Sequence, residues 1–358
     1  MTEQPSDHTS GASGVLQRLR RAPQSLRQEE WFVAAFVAFA VALCVAAGTG
    51  FRVMEPTYGY VSLLFAFVFA PFLISRSAYF IPDQWLSSFR PLRTLHRLRS
   101  LESRALLRHD LHALRGFVLV LTSLTVYTNL KIRIPFLNDR RSDDIFVMMD
   151  QMWGADRLVA WMTTILIDNP ALTTVLATAF RFFYIPIVVL VVILYLRRRQ
   201  WEIRLFAGSL SVMILLAICF ALLSPSLGPA LSEPEGFGWL DGRWMHELQQ
   251  NLLDYLRACI RLHDQGAILP AAPLAGIAGF PSTKVAALAT CAIVAGRIHS
   301  WLAIFFALLT LLMLIATVVF GFHYGVGAVA GLLLGVIVPI AFVRFLEPDR
   351  VEDDASSP

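Results

Sequence analysis

The chain is expected to fold as an all-α, polytopic membrane helix bundle with about eight transmembrane spans. Three observations carry that expectation. Hydrophobic residues make up 56% of the 358 and charged residues 16%, with a mean hydropathy of +0.61, whereas soluble domains hold about 25% charge. The apolar residues come in long runs, several near the ~20 residues that a helix needs to cross ~30 Å of hydrocarbon. The 30 basic residues, 28 of them arginine, flank those runs instead of lining one exposed face, so nucleic acid is not indicated as a partner.

Taken in order, the first 30 residues are polar and read as a cytoplasmic segment. That lead is long for a secretory signal and offers no small-residue cleavage site, so the first apolar run is expected to remain. Spans are read at 31–49, 57–75, 115–130, 173–195, 205–224, 283–297, 300–320 and 323–345. The third is weakly apolar and the sixth is short. Residues 31–114 would hold two leading spans and a basic segment, 115–345 a six-helix core, and 346–358 a disordered acidic tail. Leucine and arginine alternate from Leu86 to Arg115, as in a helix lying on anionic headgroups.

Arginine and lysine near helix ends collect on the cytoplasmic side. With the N-terminus inside, 19 basic residues fall in the cytoplasm, ten fall outside, and Arg181 lies within the fourth span. Both termini are therefore expected in the cytoplasm of a multi-pass plasma (inner) membrane protein, with long outer loops at 131–172 and 225–282. Asp143, Asp144, Asp150 and Asp156 recur in the first loop beside Arg140, Arg141 and Arg157, and read first as the solvated face of an amphipathic helix, with gating of a headgroup or supply of a carboxylate to a distant site as the alternative. Trp244, Leu248, Leu252, Tyr255 and Leu256 mark a second helix lying in the outer interface, with Asp241, Glu247 and Asp254 toward water.

Cys44, Cys219, Cys259 and Cys291 have no repeated spacing, so neither a disulfide framework nor a metal cluster is expected, and no cofactor is implied. The segment Gly266 to Lys284 is apolar but rich in Pro and Gly. Non-helical backbone at membrane depth survives where it is buried in protein or lines a cavity, which implies a recessed pocket. Ser282 would cap the sixth span. A second break at Gly321, Phe322 and His323 puts another helix start on the same side. Each such start carries unpaired N–H groups and about half a positive charge, which suits phosphate.

The segment GFPSTKVAAL, followed by ATVVFGFHYGVGAVAG, resembles the second and third signature motifs of the type 2 phosphatidic acid phosphatase superfamily. SPSLGPAL (224–231) and the stretch 130–154 are similar to its inositol phosphorylceramide synthase-like branch. The resemblance implies a six-helix core with a site near the outer face. A third-motif histidine would attack a lipid phosphate, an aspartate four residues on would orient it, and a second-motif histidine would protonate the leaving group. Transfer to water makes a phosphatase; transfer to a lipid or polyol makes a phosphotransferase. The implied partners are membrane lipids bearing phosphate: a phospholipid, or a prenyl or sphingolipid phosphate.

His323 matches the nucleophile. Lys284 stands at the acid histidine, Gly327 at the aspartate, Thr317 at a third-motif arginine, and Ala230 where an arginine follows Gly-Pro. No carboxylate occurs from Val285 to Leu346. His323 and Lys284 are thus the candidate catalytic residues, with Ser282, Arg181 and Lys131 as phosphate ligands. Arg181, deep in a span, would cost about 2.5–3.5 kcal/mol to insert unless it faced the bundle interior, which suits it to replace a missing arginine. The missing acid and orienting group equally fit a catalytically inactive relative that binds lipid headgroups or scaffolds other enzymes.

Overall fold

The computed structural model describes residues 28–46, 103–265 and 277–346, and the regular structure among them is entirely helical. At its centre is α7 (Gln200–Leu223), apolar around its circumference and buried to match: Leu205, Met213, Leu215 and Ile218 have no exposed surface. Two helices run beside it, α1 (Gln28–Ala46) and α2 (Ser103–Leu137). At about 1.5 Å per residue the 35 residues of α2 reach about 52 Å, so the run expected at 115–130 is only its middle.

Behind α7 pack α10 (Thr283–Gly296) and α12 (Gly325–Phe345), with α11 (Ser300–Val319) against α10. The contact of α10 with α12 is set by glycine at every fourth position, Gly327, Gly331 and Gly335, which removes side chains from one face of α12. A β-carbon on Gly331 would stand 2.3 Å from the Ser282 carbonyl oxygen, and one on Gly335 would stand 2.2 Å from that of Ala286. The two backbones therefore touch.

Most of the expected outer loop at 131–172 is helical. It holds the end of α2, α3 (Asp143–Trp153), α4 (Ala155–Asp168) and the start of α5 (Pro170–Arg181). Gly154, at φ +71°, ends α3 and begins α4 in the left-handed conformation that glycine adopts freely. Asn169 and Pro170 then bend α5 from α4 by 114°.

The span expected at 173–195 is not one helix. Phe182 and Phe183 break the chain after Arg181, and α6 (Tyr184–Arg197) starts afresh. Pro186 explains the restart: it has no N–H to continue α5 but is tolerated in a first helical turn. The second long loop carries the short α8 (Pro229–Ser232), a 3-10 turn at Pro234–Leu240 and α9 (Trp244–Asp264).

Four of these helices are long and apolar enough to cross a membrane: α2 from His109, α7, α11 and α12. The bent pair α4 and α5 makes a fifth if counted as one span, while α6 and α10 are apolar but shorter. The spans read at 205–224, 300–320 and 323–345 coincide closely with α7, α11 and α12. The span at 57–75, the stretch from 86 to 102, the loop at 266–276 and the tail beyond 346 lie outside the described residues.

At the arginine-rich end, buried carboxylates tie the bundle together. Glu29 accepts a fork from Arg204 at 2.6 and 3.1 Å, Glu30 pairs with Arg115, and Glu202 holds Arg197 at 2.9 and 3.0 Å. These bonds fasten α1 to α7 and α2, and α6 to α7. The opposite end, where α2, α7 and α11 finish and α10 and α12 begin, holds His323.

Candidate functional site

Three irregular segments interlock there through their backbones. Gly279 donates its N–H to Ser226, at 2.7 Å, and Ala230 donates to the Gly321 carbonyl, at 2.9 Å. Gly321 turns the chain at φ +69°, after which Phe322 and His323 both donate to the carbonyl of Thr317. The approach is too close for side chains: a β-carbon on Gly279 would lie 2.5 Å from the Gly228 nitrogen.

His323 sits in this turn, 8% exposed, with Nδ1 2.8 Å from the carbonyl oxygen of Gly279. A carbonyl only accepts, so Nδ1 carries the proton and Nε2 keeps its lone pair. Burial holds the ring neutral, pushing its pKa down to about 3; the charges of Lys284 and Lys131 act in the same direction. The chain's two lysines thus act on one imidazole. Gly327, where the resemblance calls for an aspartate, lies beside the same carbonyl: a β-carbon there would be 3.0 Å from the Gly279 oxygen. A backbone acceptor therefore stands beside Nδ1.

Lys284, in the first turn of α10, is enclosed by phenylalanines. Its Nζ stands 3.2 Å from the ring centre of Phe180, 5.4 Å from that of Phe183 and 5.6 Å from that of Phe322. Lys131 reaches the same neighbourhood from α2, with Nζ 5.6 Å from the Tyr127 ring centre. The Tyr127 hydroxyl approaches that of Thr283 at 3.4 Å. Ser282 is the residue before α10, as expected, but its side chain makes no capping bond. Its hydroxyl and that of Thr317 are fully buried and lack a partner among the described residues.

Arg181 stands apart from this group. It is the last residue of α5, not the middle of a span, and its guanidinium is exposed, 4.8 Å from the Trp244 ring centre and 5.5 Å from that of Phe182. The chain break at Phe182 and Phe183 brings it to the outside of the bundle, at a helix end.

Asp143 and Asp150 depart most from the solvated reading. Each is 7% exposed, whereas Asp144 and Asp156 are exposed as expected. Asp143 accepts from the Ser226 hydroxyl at 2.8 Å, from the backbone of Leu227 and Gly228, and from the Tyr324 hydroxyl at 3.1 Å. Asp150 accepts from the first two N–H groups of α12, Gly325 at 2.6 Å and Val326 at 2.8 Å. An internal carboxylate therefore fills the helix start that was expected to receive phosphate. The two aspartates lie seven residues apart, two turns of one helix, and Phe146 between them is also buried; that shared face was the available signal.

Further from the turn, Arg133 lies buried in α2 instead of in a loop, giving its Nη1 proton to the Asn129 carbonyl at 2.7 Å. Gln249 of α9 is buried and donates to the Phe320 carbonyl at 2.7 Å, which docks α9 on the end of α11, while Glu247 and Asp254 remain exposed. No group of three or more metal-ligating side chains occurs among the described residues.

A family profile described as the PAP2 superfamily matches residues 145–341. The match takes in Asp150, Lys284 and His323, and begins beyond Lys131 and Asp143. No curated protein and no solved structure matches the chain.

Proposed function

The chain belongs to the PAP2 superfamily, and we propose that it is a membrane-embedded lipid phosphatase or phosphotransferase in which His323 forms a phosphohistidine. One observation carries the reading: both lysines of a chain with 28 arginines act on one imidazole, that of His323, whose Nε2 is left unprotonated by the bond of Nδ1 to Gly279. A neutral, oriented imidazole within the field of two cations suits attack on an anionic phosphorus centre. The partnerless hydroxyls of Ser282 and Thr317 support it, since buried polar groups are ordinarily bonded and these wait for a ligand.

In the proposed reaction Nε2 attacks phosphorus, the N–P bond forms and the bond to the leaving oxygen breaks. The Lys284 ammonium gives that oxygen a proton, and Lys131 and Lys284 hold the phosphoryl oxygens. Water, or the hydroxyl of a lipid or polyol, then gives its proton back to Lys284 as it attacks phosphorus, and the N–P bond breaks to release His323. The likeness of residues 224–231 to the inositol phosphorylceramide synthase-like branch extends the proposal to transfer from a phosphodiester donor. The arginine bias supports a reading in which the His323 end faces the extracytoplasmic side and both termini lie in the cytoplasm. We take residues 115–345 as the catalytic core and 31–114 as an appended pair of spans.

The test is to offer purified protein phosphatidic acid, prenyl diphosphate, and phosphatidylinositol with ceramide. Turnover of one of these, lost in His323→Ala, is the expected result; equal turnover by both proteins rejects the catalytic role. A second reading, headgroup binding without turnover, draws on the carbonyl of Gly279 standing where a carboxylate would stabilise the imidazolium. Lipid retention by wild-type protein with no product and no trapped phosphohistidine would select it.

A further inference from the structure

A separate cavity of about 220 Å³ opens between α5, the 3-10 turn and α9. Its wall holds two guanidiniums, Arg181 and Arg243, three threonines, Thr173, Thr174 and Thr178, and the indole of Trp244, with no acidic residue. Phe320 closes one side. Phe180 packs edge-on against Phe320 and stacks on Phe322 at 4.7 Å between ring centres, so an aromatic layer divides this cavity from Lys284.

Arg181 lies against Trp244, and Arg243 lies 5.7 Å from the ring centre of Trp239. These contacts engage ring faces and leave the N–H edges of both guanidiniums without an acidic partner among the described residues. Thr173 and Thr174 give their hydroxyl protons to the carbonyls of Leu166 and Pro170, so Thr178 is the threonine with a donor to spare. Two planar cations and a hydroxyl around a hollow match the oxygens of a phosphate, which arginine grips through paired N–H groups.

The surroundings identify the bearer of that phosphate. Phe182 lines the cavity and is 40% exposed; beyond it Ile185 and Val189, one turn apart on α6, are 47% and 52% exposed. An apolar stripe that starts at the rim of a cationic hollow fits a molecule with a charged head and hydrocarbon chains. We propose that this cavity binds the phosphate of an anionic phospholipid, with its acyl chains along α6. The site draws on residues other than Lys131, Lys284 and His323 and stands whether or not His323 is catalytic.

The test uses the full chain in detergent and native mass spectrometry with three probes: dioleoylphosphatidylglycerol, dioleoylphosphatidylcholine and inorganic phosphate. Wild-type protein is expected to retain the glycerol lipid about tenfold better than the choline lipid, from the two charge-assisted contacts. R181Q/R243Q should lose that preference. Thr178→Trp, which fills the hollow and leaves both arginines in place, should lose it too, so a folding defect of the double variant cannot decide the matter. His323→Gln should retain the lipid as wild type does. Equal retention by wild type, R181Q/R243Q and Thr178→Trp overturns the proposal. So does loss in His323→Gln alone, which assigns the lipid to the other site, or displacement of the lipid by inorganic phosphate, which makes the occupant a free anion.

Discussion

Replacing Asp150 tests whether a carboxylate from α3 holds the start of α12. The side chain is 7% exposed and accepts from two N–H groups at 2.6 and 2.8 Å. Hydrogen bonds to a charged group contribute about 1.5–3 kcal/mol each. Gly325 is only half-buried, so water can reach part of what is freed, and the low end of the range gives about 3 kcal/mol for Asp150→Ala. Asp150→Asn keeps one acceptor oxygen and should lose about half as much. For a chain of this length a loss of 1 kcal/mol lowers the melting temperature by about 2 °C, so the alanine variant should melt about 6 °C lower in detergent at a fixed heating rate. Asp156→Ala, which removes an exposed carboxylate, should stay within about 1 °C. Millimolar inorganic phosphate should raise the melting temperature of Asp150→Ala by more than that of wild type, because the variant adds a vacant helix start to whatever anion sites both proteins share. If Asp150→Ala melts with the wild type, the carboxylate does not hold the turn that carries His323.

Gly335→Leu should abolish the monodisperse peak in size-exclusion chromatography, since its β-carbon would stand 2.2 Å from a backbone oxygen; Gly296→Ala, with 3.6 Å to the nearest atom, should elute as wild type. Glu29→Gln removes the carboxylate that grips Arg204 in a largely buried setting and should cost about 3 kcal/mol; adding Arg204→Met should recover part of it, and strictly additive losses in the melting temperature would refute the coupling. Burial keeps His323 neutral, with a pKa near 3, so kcat/KM should not fall as pH drops through 6.5, where an exposed histidine gains its proton. An inflection there that disappears in Lys284→Met but not in other variants would belong to the lysine instead.

Uniformly apolar runs long enough to cross a bilayer predict α7, α11 and α12 well, because length alone carries that signal. The break after Arg181 is hidden by the same feature: residues 182–195 are as apolar as a span, and only Pro186 hints at a restart. Motif spacing directs attention to His323 and Lys284, and the scarcity of lysine singles out Lys131. The group that orients His323 has no sequence signature, because it is the backbone carbonyl of Gly279, 44 residues away. The burial of Asp143 and Asp150 is hidden for another reason. A carboxylate on an amphipathic helix looks the same whether its face meets water or the N–H groups of another segment, and only tertiary contact distinguishes them.

The glycine seam between α10 and α12 limits how the molecule can admit a substrate. Two main chains already in contact cannot approach further, and parting them would undo the whole length of the seam, so the pair behaves as one stiff plate that carries Ser282 and the His323 turn at the same end. Any doorway to the imidazole must then open on the other side, where α3 and α5 rest against the plate through side chains and a few polar bonds. A cross-link between α3 and the head of α12 would act as a latch, and one along the seam would change nothing.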